Sequence, residues 1–363
     1  ASCLVGSEMC IRDSSSYPAR RGDWIGEMNQ NLDRRTFLKG SIILGAGAAL
    51  GLAGCASQSA TSSASDESAQ ASASRDSNAS AGATTIAPGT YNPPFDLAAR
   101  TVALNNGVEM PVLGIGTYIL SSAQAEESVY AALMAGTRLI DTARIYGNED
   151  GVGRGIARAG VPRDEVFLTT KLWTADFANA AAAIDGSLQR LGQDYVDLML
   201  LHHEDENDED AYRAMEDAVA AGKIRCIGIS NFYESGFARM LNMASIPPAV
   251  LQNETQPYFQ ERNVKEAIAG VDTVLESWGP LCGKADCRTL FADSVVAEVA
   301  GNHGVSPAQA VIRWHLQSGN ICIPGSSNPE HIREDADVFG FSLTDDEMAA
   351  IDALDRNQRF ATY

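Results

Sequence analysis

Basic residues are scarce in this chain. Lys and Arg number 27 against 47 Asp and Glu, which leaves a net charge of −20 over 363 residues. That argues against a nucleic-acid binder, which needs clustered cations to displace counterions from phosphate. It favours solubility and repels anionic surfaces. Histidines number only 5 and cysteines 7, and no Cys/His spacing among them reads as a metal site. No G-x-G-x-x-G opens a strand–helix unit, which argues against the usual dinucleotide-binding domain. The glycines of GVGRGIARAG sit inside a helical pattern and read as helix–strand packing. The apolar run from Ser41 to about Gly54 is too short for a comfortable membrane span.

What that run does resemble is the apolar part of a signal peptide. It follows Asp33-Arg34-Arg35-Thr36-Phe37-Leu38-Lys39, which matches the twin-arginine export pattern. It ends in Leu52-Ala53-Gly54-Cys55, similar to a bacterial lipobox, so Cys55 is the expected lipidated first residue of the mature protein. The expected organisation is a leader over 1–27, a signal peptide over 28–54 and a Ser/Ala-rich tether over 55–90. A folded domain is then expected over 91–363. The leader contains CLVGSEMCIRDS and resembles a translated adaptor sequence, with Met28 the expected initiator and a native extended leader the alternative. The tether buries too little apolar surface to offset its ordering entropy. The protein is thus expected to be exported and held at the extracytoplasmic face of a bacterial membrane.

From Thr101 the pattern changes. VALNNGVEM reads as a hairpin around Asn106-Gly107. Eight strand candidates follow, VLGIGTY, RLIDTA, VFLTTKL, VDLMLLH, IRCIGIS, AVLQNE, TVLESW and ICIPGS, most of them separated by helical patterns. Near-continuous apolar strands alternating with helices argue for parallel strands buried on both faces. Eight such units make an α/β fold, a (β/α)8 TIM barrel, with its site at the C-terminal strand ends. Asp141, Lys171 and His202 fall at such ends, and Tyr146 follows closely. An acid, a phenol, an amine and an imidazole at one edge make a proton-transfer site. A phenol titrates near about 10, and an adjacent ammonium held by a carboxylate is expected to lower that value.

Taken together, GTRLIDTARIYGNEDGVGRGI, FLTTKLW, LGQDYVDLMLLH, IRCIGISNF, AVLQNETQPY, ESWGPL and IPGSSNPEHIRED resemble the aldo-keto reductase family in order and spacing, from about Arg100 onward. The resemblance implies that the hairpin closes the barrel bottom. It implies Tyr146 as general acid, Lys171 and Asp141 as its tuners, and His202 as the residue that orients a carbonyl. It implies a nicotinamide cofactor, with Ser230, Asn231 and Gln252 on the carboxamide and Trp278 stacked on the ring. Pro280, Leu281, Gly325, Ser326, Ser327 and His331 are the further cofactor contacts it suggests, and Tyr118 and Trp173 are walls of the substrate pocket. Phe177 and Phe232 are further candidates for those walls.

Several positions depart from the family pattern. Many NADPH-preferring relatives carry a Lys and an Arg where this chain has Gly325 and His331, although Arg333 is close by. Neutral groups pair a 2′-phosphate poorly; NADP(H) is still favoured over NAD(H) on family grounds. The catalytic His is followed by His203, which is expected to point away or lean into its loop. The run from Glu204 to Asp210, six acids in seven residues, reads as a solvated helix N-terminus. Cys282 and Cys287 form either a small disulfide or two thiols. The expected activity is reduction of a small carbonyl substrate by a monomer. The rival reading is a nucleotide-binding sensor on the same fold, which the intact set of four polar residues disfavours.

Overall fold

The computed structural model describes residues 90–360. The leader, signal peptide and lipobox, with Cys55, lie outside the described residues, as does the tether up to residue 89. The described part opens with a small antiparallel sheet of β1 (Phe95–Asp96), β2 (Thr101–Ala103) and β3 (Glu109–Pro111). β2 and β3 form the expected hairpin, in register from Thr101 opposite Pro111 to Ala103 opposite Glu109. At its tip the Asn105 amide donates to the carbonyls of Pro247 (3.3 Å) and Pro248 (3.2 Å), and the Asn106 amide donates to that of Arg225 (3.0 Å).

Eight parallel strands follow: β4 (Gly114–Gly116), β5 (Leu139–Asp141), β6 (Phe167–Leu172), β7 (Val196–Leu201), β8 (Ile224–Ser230), β9 (Val250–Glu254), β10 (Val274–Trp278) and β11 (Ile321–Cys322). Each pairs with the next in sequence, and a parallel bridge from Leu113 to Cys322 joins the last to the first. The result is the eight-stranded barrel the sequence pattern predicts. At the seam Gly116 N donates to Pro324 O (3.0 Å), and a Cβ on Gly325 would lie only 3.0 Å from Gly116 O.

Side-chain alternation along the strands sorts two cores. Ile140, Leu168, Met199, Leu201, Ile227, Ile229, Leu251 and Leu275 pack outward with the helices. Leu139, Phe167, Leu198, Leu200, Cys226, Val250, Val274 and Ile321 form a second core with Val102, Leu104 and Met110 of the hairpin region. The hairpin therefore closes the N-terminal end of the barrel. Burying each such aliphatic side chain stabilises the fold by roughly 1.5–3 kcal/mol.

Counting onward by two along the inward face gives the site. Leu139 leads to Asp141, Phe167 to Thr169 and Lys171, Leu198 to Leu200 and His202. Cys226 leads to Gly228 and Ser230, Val250 to Gln252, and Val274 to Glu276 and Trp278. The greasy layer sits below and the polar layer above it. Gly151 and Gly153, in the helix Glu149–Ala159, have a different role from the one expected. A Cβ on either would collide with the carbonyl of Ser122 or Leu191, so they bring helices together rather than helix and strand.

Candidate active site

Lys171 is fully buried, and all three donors of its ammonium are used. Nζ donates to Asp141 Oδ1 at 2.6 Å, to Thr142 O at 3.0 Å and, at the limit of a hydrogen bond, to Tyr146 Oη at 3.5 Å. Tyr146 does not lie on a strand. It closes a single 3₁₀ turn, Arg144–Tyr146, ended by Gly147 in the left-handed conformation (φ 66°). Its ring meets the edge of His202 at 5.6 Å between centroids. The four residues brought together are the four expected from the sequence.

The turn carrying Tyr146 is pinned by Asn148, a buried side chain that accepts from Thr142 Oγ1 (2.9 Å) and donates to the carbonyls of Thr117 and Leu120 (both 2.9 Å). Asn148→Ala should lower unfolding free energy by about 2–3 kcal/mol, because buried partners are left unpaired. A shifted denaturant midpoint at unchanged slope is the measurement; an unshifted midpoint removes Asn148 from this role.

The electrostatics differ from the sequence expectation at one point. Burial holds the Tyr146 phenol well above its ordinary value, and Asp141, Tyr118 and Glu276 push it the same way. The nearby ammonium does not reverse this, because Lys171 is itself paired with Asp141. Tyr146 is thus a neutral O–H donor throughout the neutral range. His202 is held well below its ordinary value by burial, then by Lys171 and His203, so it is a neutral imidazole. Its Nδ1 is buried without a protein partner.

The proposed cofactor contacts Ser230 and Gln252 lie side by side on adjacent strands, with Glu276 beside Gln252 on the next. Both amide hydrogens of Gln252 go to carboxyl groups, at 2.9 Å to Asp141 Oδ2 and 2.7 Å to Glu276 Oε2. Asn231, at φ 59°, donates to His202 O (2.9 Å) and Ser230 Oγ (3.0 Å), and its Oδ1 accepts from the Trp278 indole (3.1 Å). Its amide thus ties three site elements to one another. Trp278 is half-buried, Pro280 is buried with its carbonyl against His315 Nε2 (3.2 Å), and Leu281 is partly buried beside it. Gly325, Ser327 and His331 are exposed. Ser326 Oγ accepts from Asn328 N (3.1 Å), and Asn328 caps the helix Pro329–Ala336.

The rim holds Tyr118, whose ring lies 5.1 Å from that of Tyr146, and Trp173, edge-on to both His202 (5.4 Å) and His203 (5.5 Å). Of the two orientations expected for His203, pointing away is not the one adopted; it stacks on His202 at 5.1 Å and 12°. Phe177 and Phe232 are not pocket walls. Both are buried in the outer core between barrel and helices. The acidic run is only partly solvated: Arg239 binds Glu204 (3.0 Å), buried Asp208 (2.6 Å) and Glu209 (3.2 Å). Cys282 is a buried thiol donating to Gln256 Oε1 (3.3 Å), so the disulfide alternative with Cys287 is not the one adopted. No group of three or more potential metal ligands occurs among the described residues.

One site residue had escaped notice in the sequence. Glu276 was visible as an acid in the middle of the strand VLESW, a pattern that demands a buried partner. His203 was noticed, but its stacking on His202 had no signal, because it depends on how the loop leaves β7.

Residues 112–356 match the Aldo/keto reductase family, and residues 31–51 match the twin-arginine translocation pathway signal sequence, which supports export by that route. The chain is 41% identical over 263 residues to glyoxal reductase of Bacillus subtilis, covering 71% of this chain and 94% of that one. It is 40% identical over 272 residues to morphine 6-dehydrogenase of Pseudomonas putida, covering 71% and 92%. Among solved structures, an aldo-keto reductase of Bombyx mori in complex with NADP superposes with a TM-score of 0.69 at 30% identity, covering 72% of this chain and 94% of that one.

Proposed function

Since the chain belongs to the aldo/keto reductase family, whose members act on small carbonyl compounds with nicotinamide cofactors, we propose that this oxidoreductase reduces an aldehyde or ketone with Tyr146 as proton donor. The observation that carries the reading is the buried Asp141–Lys171–Tyr146 chain beside His202. The residues fit a nicotinamide. Gln252 keeps its amide oxygen for an incoming N–H, and the half-buried Trp278 indole offers a flat face.

When bound, a nicotinamide supplies hydride to the carbonyl carbon. Tyr146 O–H and the neutral His202 N–H hold the carbonyl oxygen, and negative charge developing there is met by donors already in place. Tyr146 gives up its proton to that oxygen. Lys171, 3.5 Å away, then steadies the phenolate, and Asp141 keeps Lys171 charged and aimed. The same groups operate in reverse on an alcohol.

Ser230, Asn231, Gln252, Trp278, Pro280 and Leu281 would hold the nicotinamide end, and Gly325, Ser326, Ser327 and His331 the adenosine end. NADP(H) is favoured over NAD(H) on family grounds, with Arg333, two residues beyond His331, a cation that could replace those missing at 325 and 331. Tyr118 and Trp173 would wall the substrate pocket of a monomeric enzyme. Lipidation at Cys55 would anchor it outside the cytoplasm, where free nicotinamide nucleotides are scarce. The twin-arginine route moves folded proteins, so the enzyme would fold around its cofactor before export.

Mass spectrometry of protein purified from its extracytoplasmic membrane fraction tests this. Bound NADP(H) near stoichiometry is expected. An empty protein that still reduces an aldehyde with added cofactor keeps the enzyme and discards export with the cofactor. Failure to bind either nucleotide overturns the reductase reading.

A further inference from the structure

Two acids and one cation share the floor of the site. Lys171, Asp141 and Glu276 are all buried, and Gln252 stands between the two carboxyls with one amide hydrogen on each. Were both acids ionised, the floor would hold an uncompensated negative charge out of water, which proteins avoid by protonating one group. Asp141 touches Lys171 at 2.6 Å and is the natural anion. Glu276 touches only the neutral Gln252 amide, and its Oε1 has no protein partner.

We propose that Glu276 is a positioning residue of this site: an uncharged carboxylic acid that shares the Gln252 amide with Asp141, fixes which way that amide faces, and leaves Lys171 with one negative partner instead of two. A flipped Gln252 would set its carbonyl oxygen against the Asp141 carboxylate and lose that hydrogen bond, keeping one with Glu276 only if the acid's proton moved to Oε2. The unflipped amide presents an oxygen, so it recognises an N–H donor such as a carboxamide.

Charged and titratable groups face Glu276 from several elements: Asp141 from β5, Tyr146 from the turn after it, Lys171 from β6 and Cys322 from β11. Burial, and after it the Asp141 charge, push Glu276 up to about 8. In the unfolded chain the same group ionises near its ordinary value of 4.5. Native stability from this group is therefore fully present below about pH 4.5, falls as pH rises to about 8, and is level beyond. Ionisation near pH 8 also adds a second negative charge beside the Tyr146 phenol.

Glu276→Gln cannot titrate, and Glu276→Leu removes the acceptor. Melting temperatures without nucleotide should show the Glu276→Gln variant gaining on wild type from about pH 5 to about pH 8, then running parallel. Curves parallel throughout overturn the neutral acid. Fluorescence titration with NADPH at neutral pH should show Glu276→Leu weaker by about tenfold, the loss of one positioning hydrogen bond. Glu276→Gln should lose less, and wild-type affinity should fall near pH 8 where that of Glu276→Gln does not. Equal affinity of Glu276→Leu and wild type overturns the amide-orienting role; if Glu276→Leu does not fold, an alkaline fall shared by wild type and Glu276→Gln does so. The cofactor part rests on the reductase reading: wild type binding neither NADPH nor NADH overturns both together. The melting comparison needs no cofactor and rules on Glu276 alone.

Discussion

Tyr146→Phe is expected to lower kcat for aldehyde reduction by roughly 10²–10⁴, the usual worth of a positioned proton donor, while nucleotide affinity stays close to wild type. The change removes a single oxygen, Oη, whose hydrogen-bond partner in the structure is Lys171 at 3.5 Å. It leaves the ring in place between Tyr118 and His202, at 5.1 and 5.6 Å. Packing is kept and the proton is lost. Because burial and neighbouring carboxyls hold the phenol high, wild-type activity should show no alkaline loss from Tyr146 itself in the neutral range. Any loss near pH 8 would belong to another group, for which Glu276 is the candidate. Steady-state rates with a nucleotide titration decide the matter. Undiminished turnover would remove Tyr146 as the acid, and a parallel loss of nucleotide affinity would make its role one of binding.

The barrel was legible in the sequence because strand burial on both faces leaves continuous apolar runs, and their turn-bounded lengths set the count. The site was legible for a related reason. On strands with period two, a polar residue ending an apolar run can only face the barrel's open end, as Asp141, Lys171 and His202 do. Phe232 shows where that logic stops. It follows Ser230 by two, so alternation points it at the pocket, yet Asn231 at φ 59° turns the chain and sends it into the outer core. The phenol failed for a different reason. Its titration reflects a balance in which the Lys171 charge is spent on Asp141, and no spacing in the sequence reveals which partner an ammonium takes.

Lys171→Met should be the most damaging single change to the fold of the site. It leaves Asp141, 2% exposed, without the cation that touches it at 2.6 Å, and breaking a buried pair from one side lowers stability by about 3–5 kcal/mol. Burial already raises the Asp141 carboxyl and Lys171 is what draws it back down, so the variant's carboxyl moves further up. A carboxyl whose folded value lies above its unfolded one loses native stability as pH rises between the two. The deficit of Lys171→Met relative to wild type should therefore be largest at neutral and alkaline pH and shrink towards pH 4. Denaturant titrations at two pH values measure it. Adding Asp141→Asn to Lys171→Met should recover much of the loss without recovering catalysis, since the stranded charge is gone but the phenolate still lacks its ammonium. If the double variant is no more stable than Lys171→Met alone, the loss comes from packing around the methionine and the pair is not what holds the floor of the site together.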